Sequence, residues 1–545
     1  MASTKIGSKK AFLAQVRALI DKLLNQQNVA QPKQTRRSDS TGSTTASEAS
    51  GVSTDLQTTT PDKTLPQEVT EVTSPTTDTL RDATLPDTGL SIAILGAGIA
   101  GLALAIGLTK RGVPCTVYDA CEAFSAIGAG IGLGPNSLNA IDLLDPSFRE
   151  KYNDAKTANE RPEFKHSVFD ALLAEEGFGA NRGWHRGLVG APYFERSSAH
   201  RKALLEIMAS FIPAGTVQFS KRAVSVEQVG DKVEIRFADS KTAVADAVIG
   251  ADGIRGITRK AVLGERAPDL VQPKYTGMYI YRGVLPMADA KEILGEHAGD
   301  AKWFMAKDRG LAIYPISKGA EANFVFFIVD PCKEWTHASG SNIACTKEDM
   351  LHDLREFDPR LRRLLDWAMP LRWPIFHHPQ TPSYYKGRIC MIGDCAHATS
   401  PHQASGAGMG LEDAVMLAGL LSLAKTRADI EVAYRVFDSV RRPRCTKVIA
   451  TSEDAGTLYT FNNPDYGDDM ARIVENANGR LHWIWQHDLK ADQERAEAQF
   501  RALTRGGMAK DGSEASSSFV PVPTAVETKS PAVATMREVV AVAAS

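Results

Sequence analysis

The alternation of apolar and polar positions separates a folded body, at about 90–505, from two polar ends. Short apolar runs alternate in this body with longer stretches of helical periodicity, which is the pattern of a mixed α/β fold. We predict strands at 92–95, 115–118, 217–220, 223–229, 232–237, 245–249, 277–285, 310–316, 323–329 and 388–392. We predict helices at 102–111, 202–211, 347–357, 360–369, 411–423, 430–451 and 494–503. The region 265–385 is rich in strands and is expected to form a separate sheet.

The first 30 residues have a basic amphipathic pattern. Apolar residues recur at helical spacing from Phe12 to Leu24, Lys and Arg cover the other face, and Asp21 is the only acid among them. We predict a helix over 1–30. Docking on the protein itself or on a partner, organelle targeting, and a weak membrane-surface contact through 5–24 all fit such a helix.

Two segments outside the body have the composition of disordered chain. Residues 31–89 are dominated by Ser and Thr with scattered Pro, and the tail at 506–545 is similar. Such segments bury too little apolar surface to offset the entropy lost on ordering. We therefore predict a disordered leader after the N-terminal helix and a disordered tail.

The charge balance removes several classes of function. The 545 residues include 63 Lys+Arg and 65 Asp+Glu, a formal net charge of −2, so no global attraction draws the chain to nucleic acid. The seven cysteines are scattered without a CxxC or a Cys/His cluster. We therefore predict no metal site and no disulfide framework, and a reducing compartment such as the cytoplasm. No apolar stretch is long enough to predict a transmembrane helix.

A glycine-rich turn follows the first predicted strand. Gly96, Gly98 and Gly101 form a GxGxxG pattern before the first helix, and Asp119 ends the second strand. These glycines allow a tight turn, a close approach of backbone to phosphate, and close packing of helix on strand. The helix N-terminus favours an anion, and Asp119 can accept hydrogen bonds from ribose hydroxyls. The unit predicts a dinucleotide site that suits FAD or NAD better than a 2′-phosphate.

Two later segments favour a flavin among the dinucleotides. One contains Asp252-Gly253, and the other contains Gly393-Asp394; each follows a predicted strand. The Asp394 carboxylate can accept hydrogen bonds from a flexible polyol such as the ribityl chain. Three glycines at 406, 408 and 410 keep the next helix start free of side chains, so a flat ring can rest there. That helix start favours the negative charge of a reduced flavin.

The ordered GxGxxG, DG and GD segments resemble the signature set of the class A flavoprotein aromatic monooxygenases, which have the p-hydroxybenzoate hydroxylase fold. The chain is most similar to their salicylate hydroxylase-like branch, which includes fungal FAD-dependent monooxygenases of aromatic polyketide pathways. The shared motifs span about 90–490 and are GAGIGLGPNSLNAI (128–141), AHRKALL (199–205), GADGIR (250–255), YRG (281–283), YPI (314–316), GDCAHATSPHQASGAG (393–408) and RRPR (441–444).

This resemblance implies a Rossmann-like FAD-binding domain interleaved with a sheet-rich substrate domain and followed by C-terminal helices. The FAD-binding domain then has two parts, 90–264 and 386–460, on either side of the substrate domain at 265–385. The C-terminal helices occupy 461–505.

The resemblance also implies residues that bind FAD. Residues Gly96, Gly98 and Gly101 match the family's pyrophosphate turn, and Asp119 matches its ribose acid, which is more often Glu. Gly130 matches the segment that approaches the flavin.

Three further matches follow along the chain. Arg201 matches the Arg that reaches the FAD phosphates, Asp394 the GD aspartate, and Ala407 the helix start beneath the isoalloxazine. The chain departs from the family at Gly256, where the DG motif usually has Ser, and this leaves open how the pyridine nucleotide is held.

The family's reaction suggests what the substrate site needs. NAD(P)H reduces FAD, and the reduced flavin reacts with O2 to a C4a-hydroperoxide that hydroxylates an electron-rich ring. Because the ring is more reactive as a phenolate, an Arg that pairs with the oxyanion and a Tyr that orients it or moves its proton assist the reaction. The resemblance implies Arg282 and Tyr314 for these roles. The alternatives are a structural ion pair for Arg282 and packing under the flavin for Tyr314.

Other residues have weaker assignments. Trp303 and Phe304 fit either the aromatic site or the core. His397 fits a structural bond in a turn better than a catalytic base, whereas His402 can contact flavin or water. We interpret the arginines of the RRPR motif (441–444) as a surface feature of a helix near the cofactor.

We therefore expect an FAD-dependent enzyme that uses NAD(P)H and O2 to hydroxylate a phenolic or salicylate-like substrate. Attack at a carboxyl-bearing carbon would release CO2, and attack at an alkyl-bearing carbon would dearomatise the ring. The alternatives are a flavin epoxidase or ring-modifying oxygenase acting on a non-phenolic substrate, and a non-catalytic flavin-binding regulator. The sequence leaves the substrate, the choice of NADH or NADPH, and the oligomeric state open.

Overall fold

The structure is a computed structural model that describes residues 89–124, 130–332, 334–335 and 342–507. The predicted helix at 1–30, nearly all of the predicted linker and the tail beyond residue 507 lie outside the described residues.

The described residues form four sheets and fourteen α-helices. The strands are β1 (Ile92–Leu95), β2 (Cys115–Tyr118), β3 (Gly130–Gly132), β4 (Ser167–Leu173), β5 (Leu188–Gly190), β6 (Ser198–His200), β7 (Val217–Gln218), β8 (Ala223–Val229), β9 (Lys232–Phe237), β10 (Thr242–Ala245), β11 (Ala247–Gly250), β12 (Lys274–Pro286), β13 (Lys302–Ala306), β14 (Arg309–Ile316), β15 (Glu321–Val329), β16 (Ile343–Ala344), β17 (Leu371–His377), β18 (Tyr385–Lys386) and β19 (Ile389–Met391). The helices are α1 (Ile99–Lys110), α2 (Pro135–Leu144), α3 (Pro146–Ala155), α4 (Arg201–Ala209), α5 (Ile257–Leu263), α6 (Met287–Leu294), α7 (Lys347–Asp353), α8 (Pro359–Arg363), α9 (Asp394–His397), α10 (Gly406–Leu423), α11 (Arg427–Tyr459), α12 (Met470–Arg480), α13 (His482–Trp485) and α14 (Leu489–Gly507).

The first sheet has the order β18-β19-β11-β1-β2-β7. Its neighbouring strands are parallel except for the antiparallel pair of β18 and β19. Strands β1 and β11 are buried at every position, as expected for a parallel sheet that is covered on both faces. Because β1, β11 and β19 run in the same direction, the segments that follow them leave the sheet at one edge.

The largest sheet has the order β16-β17-β12-β15-β14-β13-β4-β5. The two faces of this sheet pack against different parts of the protein. Directly opposed residues of paired strands lie on the same face, so the register assigns each residue to one of them. The odd-numbered β12 residue Tyr281 opposes Phe326, and both belong to a core beneath α6 to α8. The even-numbered Arg282 opposes Val325, and both face the other way, towards the parallel sheet.

Strands β4 and β5 join this large sheet from before residue 265, so the sheet extends beyond the segment 265–385. β4 pairs with β13 in parallel. Six of the seven β4 residues are buried, so the strand lacks the alternation of apolar and polar positions by which half-buried strands are found in a sequence.

The two smaller sheets complete the fold. Strands β8, β9 and β10 form an antiparallel sheet, and β3 pairs with β6 in a short ladder in which Gly130 opposes His200. This ladder lies between the two large sheets, because Gly130 approaches Tyr314 of β14. It therefore links the parallel sheet to the face of the largest sheet that carries Tyr314.

Helix α10 is long and apolar enough to cross a membrane by length and composition, with a mean hydropathy of 1.3. However, 78% of its residues are buried inside the protein. It packs on α1 so closely that a Cβ at Gly410 would lie 3.0 Å from the Cβ of Ala100. This burial marks α10 as a central helix of the part of the protein built on the parallel sheet.

The predicted mixed α/β fold is confirmed, and most element boundaries agree within a few residues. Strands β8 and β9 have the predicted bounds. Helix α10 begins at residue 406 and not at 411, because its glycines pack against α1 and α2 instead of remaining in the loop. The predicted helix at 360–369 is shorter: α8 ends at residue 363 and a 3-10 turn follows.

Candidate active site

Three motifs meet at the carboxyl edge of the parallel sheet. Gly96 follows β1 with a φ of +104°, and a Cβ there would overlap the carbonyl oxygen of Ala251, which follows β11. Gly393 follows β19 with a φ of +59°, and a Cβ there would lie 2.9 Å from Ala100 in α1. Glycine is the residue that adopts such positive φ values without strain. The GxGxxG, DG and GD segments therefore touch one another.

The first turn of α1 is arranged as an anion site. Gly98 is the N-cap residue, and nothing lies within 4 Å of the position that its Cβ would take. A Cβ at Gly101 would overlap the carbonyl oxygen of Gly96, so glycine allows α1 to pack on β1. The Asp119 carboxylate accepts the backbone N–H groups of Ala97 and Cys121, both at 2.7 Å. These hydrogen bonds hold the turn in place, and the Asp119 carboxylate is half-buried.

The DG segment supports the other two motifs. The carboxylate of Asp252 accepts the backbone N–H and the hydroxyl of Thr258, each at 3.0 Å. A Cβ at Gly256 would overlap this carboxylate, so the Ser that the family usually has would require the Asp252 side chain to shift. Arg259 is buried and donates to the carbonyl oxygens of Cys395 and Ala396 at 3.1 and 3.3 Å. The DG arginine therefore holds the loop that presents the GD motif.

A cavity of about 400 Å³ lies between the edge of the parallel sheet and the largest sheet. Among the predicted site residues, it is lined by Gly130, Arg282, Tyr314, Asp394 and Ala407. The Asp394 side chain is exposed, and it stands at the start of α9. The structure thus brings the predicted substrate residues and the predicted flavin residues into one space.

Other predicted residues lie outside this cavity. The GxGxxG turn and Asp119 lie further along the sheet edge, where a dinucleotide would extend. Arg201 is the first residue of α4, is exposed, and is near enough for its charge to act on Arg282. These positions follow the expected order of pyrophosphate, ribityl chain and ring along one edge.

Arg282 enters the cavity as a cation without a counterion. Its guanidinium lies 3.9 Å above the Trp373 ring, and its Nε has no hydrogen-bond partner among the described residues. Burial, together with the charge of Arg201, lowers the pKa of Arg282 to about 10. The group is nevertheless charged at neutral pH. This geometry does not agree with the structural ion pair that was the alternative for Arg282.

Tyr314 lies between Arg282 and the β3 strand. A Cβ at Gly130 would lie 2.8 Å from the ring and hydroxyl of Tyr314, so the flavin-approaching segment passes directly beside this tyrosine. The Gly130 N–H donates to Asn323 Oδ1 at 3.3 Å, and Asn323 opposes Tyr314 in the sheet. Burial raises the pKa of Tyr314, although Arg196 and Arg282 oppose the shift. Tyr314 is therefore a neutral phenol at physiological pH.

The cavity walls combine aromatic rings with unpaired polar atoms. Trp303 and Phe327 stack with centroids 5.2 Å apart, and His402 lies 5.1 Å from Phe327. Across the described residues, Trp303 Nε1, Gln403 Nε2 and both ring nitrogens of His402 lack hydrogen-bond partners. Burial lowers the pKa of His402 to about 4, so the ring is neutral. Buried polar atoms usually have partners, so the wall retains unused hydrogen-bonding capacity.

Only part of this cavity wall could be predicted from the sequence. Trp303 lines the cavity, whereas its neighbour Phe304 is fully buried in the core on the opposite face of the sheet. Phe327, Gln403 and Arg196 also line the cavity and were not predicted. The alternation along β13, β14 and β15 is the signal for Phe327, but it identifies the cavity face only once the register is known.

The residues present fit FAD. The α1 start is open for a pyrophosphate, the exposed Asp394 carboxylate borders the cavity, and Ala407 lies at the N-terminal end of α10, which favours negative charge. Gly130 has no side chain and lies beside Tyr314, so it leaves room for a ring there.

A buried ion network lies directly behind the GD motif. Arg441 donates to Glu412 at 2.7 Å and to Asp413 at 2.9 Å, and Arg444 donates to Glu412 through two nitrogens at 2.8 Å. Asp413 also accepts the Gly393 N–H at 3.0 Å and lies 2.5 Å from His397 Nε2. The interpretation of the RRPR motif as a surface feature is therefore wrong for Arg441 and Arg444, because both are buried.

This network accounts for the burial of His397, so no catalytic role is needed to explain it. His397 is buried in contact with Asp413, which is the structural bond expected for it. His397, Asp413 and Cys445 have possible ligand atoms within 4.8 Å of one another. However, Arg441 donates to Asp413 and, at 3.7 Å, to the sulfur of Cys445. The group is thus an ion network that already contains its cations.

Comparisons with known proteins agree with this geometry. The model of a family described as FAD binding domain matches residues 90–452. An FAD-dependent monooxygenase of Gibberella moniliformis is 39% identical over 432 residues, which cover 77% of this chain and 98% of the relative. A 6-methylsalicylate 1-monooxygenase of Aspergillus terreus is 33% identical over 451 residues, covering 81% and 98%. The solved structure of a salicylate hydroxylase substrate complex has a TM-score of 0.66 and 32% identity, covering 75% of this chain and 98% of that one.

The fold and the converging motifs, together with these matches, show that the chain belongs to the FAD-binding domain family of flavoproteins. Within that family it is an FAD-dependent monooxygenase of the salicylate hydroxylase type.

Proposed function

We propose that this monooxygenase hydroxylates a phenolic or salicylate-like aromatic substrate with NAD(P)H and O2. The observation that carries the proposal is the cavity beside Gly130, Asp394 and Ala407, which has aromatic walls and an unpaired guanidinium, that of Arg282. Its volume of about 400 Å³ lies in the usual range for small-molecule sites. Similarity to proteins named for salicylate and 6-methylsalicylate supports the same class of substrate.

Arg282 is suited to bind the oxyanion of such a substrate. Its guanidinium lies 3.9 Å from the centroid of the Trp373 ring and has no carboxylate partner among the described residues. An opposite charge within about 4–6 Å typically lowers an acid's pKa by 1–3 units. Arg282 therefore favours the phenolate over the phenol at neutral pH, and the phenolate ring is the more reactive one towards an electrophilic oxygen.

Tyr314 and His402 are suited to orient that oxyanion as neutral groups. Burial raises the pKa of Tyr314 and lowers that of His402 to about 4. A neutral phenol can donate a hydrogen bond from its hydroxyl to the substrate oxyanion. Neither group adds a negative charge that would oppose a phenolate. The site thus combines one cation with neutral hydrogen-bonding groups.

The residues on the other side of the cavity would bind FAD. The turn at Gly96–Gly101 would hold the pyrophosphate, Asp394 the ribityl chain, and the backbone at Gly130 and Ala407 the ring. When bound, FAD supplies the transfer of electrons from NAD(P)H to O2 and the activated oxygen. The protein excludes water from the reacting ring through Trp303 and Phe327, which pack against each other in the cavity wall.

A substrate screen tests the proposal. Purified FAD-loaded protein is mixed with phenolic acids and aromatic polyketide aldehydes, and NADH and NADPH oxidation are followed together with product masses. We expect one class of phenol to stimulate oxidation and to yield a product heavier by one oxygen atom or lacking CO2. The O-methyl ether of the same compound should not react, because it cannot form a phenolate. Equal turnover of the ether would instead support an epoxidase or another ring-modifying oxygenase.

The variant Arg282→Gln tests the assigned anchor. Hydrogen bonds to charged groups are worth about 1.5–3 kcal/mol, so we expect KM for the phenol to rise about 10- to 150-fold with FAD content unchanged. Arg236→Gln is the matched control, because Arg236 is an exposed strand arginine paired with Glu234 on the small sheet. Unchanged KM in Arg282→Gln would remove this residue from substrate binding.

A further inference from the structure

Arg196 is a second arginine of the cavity, and it belongs to none of the motifs named above. It lines the cavity beside Gly132, two residues before β6. Nε donates to Ser198 Oγ at 2.9 Å, and Nη1 donates to the carbonyl oxygen of Val168 at 2.8 Å. The described residues offer Nη2 no hydrogen-bond partner and offer the guanidinium no carboxylate. The side chain is thus fixed at one edge and free at the other.

The face of the Arg196 guanidinium is directed at Tyr314. The guanidinium lies 4.7 Å from the centroid of the Tyr314 ring. The side chain lines the cavity that holds Arg282, and it also lines a smaller neighbouring cavity beside Gly134 and Trp485. The charges of Arg196 and Arg282 therefore both act on Tyr314. Two unpaired cations in one enclosed space strongly favour an anionic ligand.

The electrostatics of the pair agree with this arrangement. Burial raises the pKa of Tyr314, and Arg196 opposes that shift more strongly than Arg282 does. In turn, burial lowers the pKa of Arg196, and the phenol group of Tyr314 opposes it. Each group therefore stabilises the charged form of the other.

We propose that Arg196 is a positioning residue of the substrate site, which holds the Tyr314 ring face-on and gives the cavity its second positive charge. This inference rests on the proposed function, because it assumes that Tyr314 contacts the substrate oxyanion. Arg196 acts on the substrate through Tyr314, and its charge selects ligands that carry a negative charge over neutral ligands of the same shape.

The test compares Arg196→Gln with a matched control. In Arg186→Gln an arginine that lies 4.8 Å from the Phe164 ring is removed, but Arg186 is exposed and does not line the cavity. Salicylate and its neutral analogue salicylamide are titrated into FAD-loaded protein, and binding is read from the flavin absorption spectrum, which does not require turnover. A cation–π contact contributes about 0.5–2 kcal/mol, which corresponds to a change in Kd of about 2- to 30-fold. We expect Arg196→Gln to raise the Kd for salicylate by at least this factor and to change the Kd for salicylamide little. The FAD content of the protein should not change.

Two further measurements separate positioning from a structural role. The alkaline limb of the kcat/KM profile should move to higher pH in Arg196→Gln, because removing a neighbouring cation raises the pKa of a phenol. In a Tyr314→Phe background, Arg196→Gln should cost less than it does alone, because part of its effect is transmitted by the Tyr314 hydroxyl. A merely structural residue would lower FAD content and stability in both backgrounds without moving the pH profile.

The outcomes also separate this inference from the proposed function. If Arg282→Gln loses salicylate binding while Arg196→Gln binds salicylate and salicylamide as the unmodified protein does, the role of Arg196 is refuted and the function stands. If neither variant changes the binding of either ligand, both proposals fail. Equal losses for salicylate and salicylamide in Arg196→Gln would refute selection by charge.

Discussion

The substitution Arg441→Met tests whether the buried ion network supports the FAD-binding half. Met has a length similar to that of the arginine stem but removes the guanidinium. Glu412 keeps Arg444, which donates two hydrogen bonds to it. Asp413 keeps only the ring of His397 and the N–H of Gly393. The perturbation therefore leaves one carboxylate in the core with less positive charge around it.

The magnitude follows from the burial of the pair. Arg441 and Asp413 each have 0% side-chain exposure. Burial alone would raise the pKa of Asp413, but the charges of His397 and Arg441 hold it at about 2. Removing one partner of a buried pair typically costs about 3–5 kcal/mol, and this is the upper bound here because His397 still faces Asp413 and Arg444 still faces Glu412. For roughly 400 folded residues, an unfolding entropy of about 2.1 cal/mol/K per residue converts this loss to a fall in Tm of about 4–6 °C.

The assay is thermal unfolding of the FAD-loaded protein at neutral pH, followed by far-UV circular dichroism and by release of flavin fluorescence. Arg501→Met is the matched control, because Arg501 forms a half-exposed pair with Glu497 at 3.1 Å. Exposed pairs are worth about 0–1 kcal/mol, so the control should shift Tm by about 1 °C or less. The flavin signal should fall at a lower temperature in Arg441→Met, since Asp413 also holds Gly393 beside Asp394.

Two results would refute this reasoning. A Tm shift in Arg441→Met no larger than that of Arg501→Met would show that the core carboxylates do not need this cation. Full additivity with Asp413→Asn would show that the two side chains do not act as a pair, because partners in one network are expected to be non-additive by about 0.5–3 kcal/mol.

Two other predictions concern the cofactor and the leader. Asp394→Ala should yield mostly colourless protein, because its exposed carboxylate borders the path of the ribityl chain; an absorbance ratio at 450 and 280 nm equal to that of the unmodified protein would contradict this role. A chain lacking residues 1–85 should retain its FAD and its phenol-stimulated NAD(P)H oxidation, because the first strand of the parallel sheet begins at Ile92. Insoluble protein after this deletion would show that the leader belongs to the folded core.

The sequence was most informative where the chemistry is local. The tight turn at Gly96 and the strand–helix unit around it are encoded within about 30 consecutive residues, so their arrangement could be predicted without a fold. The GD motif was likewise recognised from its own segment. What the sequence could not show is that Gly256 lies against the carboxylate of Asp252, because that contact depends on how the loop folds back.

The burial of Arg441 and Arg444 could not be predicted from the local sequence. Helix α11 contains many charged residues, and its pattern alone does not reveal that Arg441 and Arg444 face α10. The missed signal was on α10 itself, where Glu412 and Asp413 interrupt an otherwise apolar helix and require buried cations. Arg196 could not be predicted because it comes from a loop that belongs to no motif, whereas Gln403 lies within the motif at 393–408 and its position there does not show that it lines the cavity.

The interleaving of the two sheets has a consequence for synthesis of the chain. Strand β19 completes the parallel sheet by pairing Ile389 with Val248 of β11, roughly 140 positions earlier. At translation rates of about 5–20 residues per second, β11 waits about 7–30 s for its partner. During that interval it offers an apolar, unpaired strand border to other nascent chains, which is a known route to aggregation. The yield of soluble protein should therefore depend on chaperones that shield β11 until residue 391 has left the ribosome.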